Sequence, residues 1–260
     1  MSLKPLTSWV EEQYDHIEHY FWSPQEIGRK THGPKRTFAE WRSKLASHST
    51  SMKHFLTQYF ILCPQSVTDQ VLSKLCGKSC VGLSLVNPYH GVNLEGVVQP
   101  NMVFYREKHL IIGKIQISGY SYVDHIVKQA VAALKYGDTF GSFESIDLFI
   151  LATDTTYSKV VRPIKDNPNL KTTISRAIDG IKGLDVWKEA ALPSWLSKQD
   201  ETTKTRLIDT LNKMVIHFVS YNDLSKHLLE VDTNETAQRL THDLVQELRN
   251  RHLILTEDTQ

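Results

Sequence analysis

The sequence predicts an α/β fold with a mixed central sheet flanked by helices, and three observations carry that prediction. The apolar spacing is helical at first, changes to period two from about residue 79, and returns to helical from Ser121. The run Ile146–Thr153 is almost wholly apolar, as a strand covered on both faces at a sheet centre should be. It follows a strand and a helix, which is the order of a right-handed parallel crossover. A chain of 260 residues buries enough surface to need no covalent staples. Its 30 Lys plus Arg against 29 Asp plus Glu exclude a polybasic nucleic-acid binder, so any such site must be a local patch.

The elements follow in order. Ser8–Glu11 reads as a capping box before a helix with Val10, Tyr14, Ile17 and Phe21 on one face, ending near Pro24. A loop rich in Gly, Pro and positive charge comes next, with Arg29, Lys30, Lys35 and Arg36. Thr37–Glu40 opens a second helix. Phe55, Leu56, Tyr59, Phe60 and Leu62 mark a buried third one, closed by Pro64, and residues 67–76 read as a short fourth. Val81, Leu83 and Leu85 then alternate as a strand. Val97–Tyr105 and His109–Ser118 form a hairpin about Arg106–Lys108, and Ser121–Tyr136 is an amphipathic helix. Leu170–Ile181 and Thr202–Leu211 read as helices, Met214–Ser220 as the last strand, and 224–230 and 235–250 as closing helices. The economical division is a helical extension over 1–41 carrying the basic loop, an α/β core over 42–228, and a C-terminal helical segment over 229–260.

Metal and nucleophile motifs are scarce. Cys63, Cys76 and Cys80 are an odd set, and the C-x3-C pair has no second pair to complete a zinc site, so they read as small buried residues of a reduced protein. His16 and His19 share a helical face without a third ligand nearby. The phosphate loop, the dinucleotide fingerprint, the nucleophile elbow and the zincin motif are all missing. With no apolar run near 18 residues and no secretion signal at the start, the expected setting is the cytoplasm, or the nucleus of a eukaryotic cell.

One constellation stands out. Val97–Tyr105 followed by His109–Ile117, then a helix and the apolar strand Ile146–Thr153, resembles the central hairpin and crossover of the PD-(D/E)xK restriction-endonuclease-like superfamily. The segment His217–Leu224 resembles that family's closing strand and helix start, so the likeness covers roughly residues 42–228. It implies a restriction-endonuclease-like core. It also implies where the catalytic groups would stand: Asn101 takes the place of the first aspartate, Lys114 that of the second acid, and Gln116 that of the lysine.

That substitution pattern undoes the family chemistry, in which carboxylates hold a magnesium ion that activates water. A unit cation about 4 Å from a divalent ion is repelled by about 8 kcal/mol at an effective dielectric near 20. The first reading is therefore a vestigial site of Asn101, Lys114 and Gln116 in a non-catalytic or atypical nuclease-fold protein, needing no cofactor. Such a protein would bind nucleic acid or help assemble a nucleic-acid-processing complex. Arg29, Lys30, Lys35 and Arg36, with Lys128 on the helix after the hairpin, are the phosphate-contact candidates. The alternatives are an active magnesium-dependent nuclease using a displaced carboxylate such as Glu95, and a pure protein-interaction module without DNA or RNA.

Overall fold

Pro64, at φ −55° and ψ 148°, separates the helical residues Leu56, Tyr59 and Phe60 from the first complete helix, α1 (Gln65–Cys76). The computed structural model describes residues 63–86, 100–115, 122–152, 167–181, 191–231 and 235–250, with residues 56, 59, 60, 92, 94, 187, 253 and 254. Gly77 ends α1 in the left-handed conformation (φ 62°), which costs glycine no Cβ clash. The chain then runs back along the helix, where the Cys80 and Gly82 amides donate to Ser73 Oγ and Asp69 Oδ1 at 2.8 Å each.

A five-stranded sheet follows, and its spatial order is the sequence order: β1 (Ser84–Val86), β2 (Met102–Arg106), β3 (His109–Ile115), β4 (Ser145–Ala152) and β5 (Met214–Ser220). The first three strands are antiparallel. β3, β4 and β5 run parallel, joined through α2 (Tyr122–Phe140) and then through α3 (Leu170–Ile178), α4 (Ala191–Leu196) and α5 (Glu201–Lys213). Ser220 ends β5 and caps the next helix, α6 (Tyr221–Leu229), its Oγ accepting from the Asp223 amide at 3.0 Å. The last helix is α7 (Glu235–Asn250).

Strand alternation sends residues to two separate cores. On one face Ile111, Phe149, Leu151 and Val219 pack with α1, α6 and α7, through residues such as Val71, Leu224 and Leu248. On the other Leu110, Ile112, Leu148 and Ile150 pack with α2 and α5, through residues such as Ile126, Val131 and Leu207. Gly113 faces Phe149 across the parallel pair, and a Cβ there would stand 2.4 Å from the ring's Cζ. The mixed sheet and its covering helices are as the periodicity predicts.

Two expectations need correction, and one element is additional. The strand read from Val81 begins only at Ser84, because Gly82 (φ 71°) turns the chain and leaves Val81 exposed with its carbonyl held by Arg106. The helix from Leu170 stops at Ile178 rather than Ile181, since Gly180 (φ 74°) reverses it and Ile181 N–H returns to the Arg176 carbonyl. Helix α4 was not anticipated, its six residues being too short for a helical period to emerge. Among the described residues no helix is long and apolar enough to cross a membrane.

Candidate functional site

Two polar places deserve a functional reading, and they lie at opposite ends of β3. The first is the mouth of the β2–β3 hairpin. Asn101, just ahead of β2, donates its amide N–H to the Gly113 carbonyl at 3.0 Å. Its side-chain Oδ1 accepts the Ile115 N–H at 2.8 Å. The side chain therefore continues the ladder one step beyond the last paired residue, doing with an amide what backbone does elsewhere in the hairpin. Lys114, between the two residues that Asn101 holds, is half-buried and follows Leu110 and Ile112 in the alternation that faces α2. Lys128 is half-buried near the middle of α2. Gln116, Glu95 and the loop residues Arg29, Lys30, Lys35 and Arg36 lie outside the described residues, as do His16 and His19.

The second place is built on Asp147, the only charged residue in β4 and a fully buried one. Alternation puts His109, Asp147 and His217 on the same face of the sheet as Ile111, Phe149 and Val219. Register then steps the three side chains diagonally across β3, β4 and β5, where such neighbours come within reach. Asp147 Oδ1 lies 2.8 Å from His217 Nε2, and Oδ2 lies 2.8 Å from His109 Nε2. Lys78, set beside β4 by the Gly77 reversal, places Nζ 2.6 Å from the same Oδ2 and 2.9 Å from Ser145 Oγ. Ser145 in turn donates to Oδ2 at 3.3 Å. Oδ2 thus meets three partners and Oδ1 one.

Burial alone would raise the pKa of Asp147, since a carboxylate loses its hydration there. Hydrogen bonds from His109, His217 and Lys78, with the Lys78 charge, overcome that and hold the carboxyl well below the usual range. Asp147 is therefore ionised at any physiological pH. The cluster carries a compensated charge pair whose lysine side chain is 39% exposed.

Two thiols complete the surroundings. Cys76 and Cys80 are both buried and reduced, and they share a hydrogen bond. That bond, with burial, pushes the Cys76 thiol up, while it lowers Cys80 against the opposing effect of burial. Among the described residues, Cys76 Sγ, an Asp147 oxygen and a His217 ring nitrogen lie within 4.8 Å of one another. A cleft of about 320 Å³ between the end of α1, β5 and α6 opens onto Cys76 and His217, with Asp223 and His227 on its far wall.

The sequence reading assigned Cys76 a structural role and passed over Lys78, His109, Asp147 and His217. No local spacing joins them, because residues 38 and 70 apart meet only once the two parallel crossovers have formed. One signal was present: a lone carboxylate inside an otherwise apolar central strand must have partners, since an unpaired buried charge is prohibitively costly. None of the protein-family models, curated proteins or solved structures compared with this chain matches it.

Proposed function

We propose that the chain is a restriction-endonuclease-like protein that lacks metal-dependent cleavage and binds nucleic acid within a processing assembly. The order of elements supports this reading: an antiparallel hairpin, a crossover helix, a buried parallel strand, and a second parallel strand running directly into a helix. The observation that carries it is the Asn101 clip. At the position matching the family's first aspartate, the side chain closes the hairpin by accepting the Ile115 N–H. A neutral amide already committed to the backbone, with Lys114 at the second acid's position, is a poor receptor for magnesium, which demands carboxylate oxygens. Phosphate contact falls to the basic loop, whose cation pairs Arg29-Lys30 and Lys35-Arg36 flank Gly33-Pro34.

The full-length protein should leave single- and double-stranded DNA uncut with magnesium or manganese, yet bind duplex in a salt-sensitive way. If the four loop cations each neutralise one phosphate, the log–log salt slope is about −3.6. Replacing Arg29, Lys30, Lys35 and Arg36 with Ala should flatten it. Metal-dependent cleavage that vanishes in Glu95→Ala would overturn the reading in favour of an active nuclease. Failure to bind DNA or RNA at low salt would overturn it in favour of a protein-interaction module.

A further inference from the structure

We propose that Cys76, Asp147 and His217 form a binding site for a zinc-type divalent cation, with a fourth coordination position open to the cleft beside β5. This site stands apart from the hairpin mouth and does not rest on the nuclease-fold reading. Asp147 pairs with Ile111, four residues before the Ile115 end of β3, which is about 13 Å along an extended strand.

The donor set is one sulfur, one imidazole nitrogen and one carboxylate oxygen, a combination that suits zinc and cobalt and does not suit magnesium or calcium. Tetrahedral bonds of about 2.0–2.3 Å put ligand atoms about 3.3–3.6 Å apart. The three atoms already lie within 4.8 Å of one another, so small rotamer adjustments close the set. Asp147 divides its oxygens in the way such a site requires. Oδ1 meets His217, while Oδ2 is held from the other side by His109, Lys78 and Ser145. An ion entering between Oδ1 and His217 replaces one hydrogen bond and leaves the Oδ2 contacts in place to orient the ligand.

The fourth position is where the cleft is. It gives the ion a way in and leaves room for a bound water. His227 lines the same cleft with a buried Nδ1 that has no hydrogen-bond partner among the described residues. On binding, the Cys76 proton leaves to solvent, and the thiolate and carboxylate together balance the dication. The Lys78 side chain, 39% exposed, is able to turn outward if the ion's charge displaces it.

The test is cobalt titration of the metal-free full-length protein. Saturation at one equivalent, with a thiolate-to-cobalt charge-transfer band displaced by zinc but not by magnesium, is expected. Cys76→Ser should abolish the band, His217→Gln should weaken binding at least tenfold, and Cys63→Ser, a buried thiol ahead of the far end of α1, should leave both unchanged. Absence of the band in the parent at stoichiometric cobalt overturns the proposal without recourse to any variant. A band that survives Cys76→Ser, or one lost in Cys63→Ser, overturns the ligand set. Should Cys76→Ser fail to fold, a cobalt-shifted histidine resonance present in the parent and missing in His217→Gln decides the matter, and its persistence in that variant counts against the site.

Discussion

Replacing Asp147 with Asn removes one charge and almost no volume, so it isolates what the buried carboxylate contributes to stability. Three donors converge on it at 2.6–2.8 Å, from Lys78, His109 and His217. Hydrogen bonds to a charged acceptor contribute about 1.5–3 kcal/mol each. The sum overstates the loss, because Asn keeps one acceptor oxygen, either imidazole is able to present a bare nitrogen to the new amide, and the Lys78 head escapes to water. The variant should therefore be about 2–4 kcal/mol less stable at neutral pH, measured by urea unfolding in chelator so that no metal contributes. The pH dependence has a definite sign. A carboxyl held below its unfolded value stabilises the folded chain fully above about pH 4, and that contribution fades as pH falls further. Parent and variant should accordingly keep their separation down to about pH 4 and converge below it. A variant within about 0.5 kcal/mol of the parent at pH 7, or a gap that does not narrow in acid, refutes the reasoning.

Three further substitutions test the packing and the hairpin mouth. Gly113→Ala should cost about 1–3 kcal/mol by overpacking, because the new methyl meets the buried Phe149 ring at 2.4 Å and Met102 Cε at 3.1 Å; thermal unfolding reads this directly. Asn101→Ala should destabilise by about 1–2 kcal/mol, since the Ile115 N–H loses its acceptor, whereas Asn101→Asp retains an oxygen and should recover at least half of that loss. Equal denaturation midpoints for Asn101→Ala and the parent would show that water serves the amide just as well. Tyr221→Phe should stabilise by about 1 kcal/mol: the ring is fully buried, and its hydroxyl finds no partner among the described residues. A destabilised Tyr221→Phe would mean that the hydroxyl is satisfied after all.

What the sequence discloses here divides along a physical line. Period-two spacing and an apolar run suffice to place β2, β3, β4 and β5 within a few residues, because burial on a pleated surface leaves its mark locally. β1 was misread at Val81 because the alternation continues through Gly82, whose left-handed backbone breaks the strand and is invisible to a hydrophobicity pattern. The hairpin mouth was legible as a place but not as a mechanism: the sequence assigns Asn101 to a vestigial metal site, and its side chain is bonded to the backbone of Ile115. Of the Asp147 cluster only the lone carboxylate in an apolar strand was legible, as a residue that must have partners. His109 and His217 look unremarkable in their own strands, and only the register of two parallel crossovers brings them to it.

Because each strand's neighbour in space is also the next strand in sequence, the sheet can be laid down in the order of synthesis, growing always at the same edge. In that sequence of events β4 takes its place beside β3 while β5 is still to come, and Asp147 then has His109, Ser145 and Lys78 within reach but not His217. At that stage Oδ1 would be left to solvent. Docking of β5 would bring the His217 imidazole to it, so the last strand would close the sheet and the polar cluster together. A nascent chain halted before Met214 would carry a hydrated carboxylate beside an open strand edge. That combination disfavours premature burial and favours waiting for the one segment that brings His217.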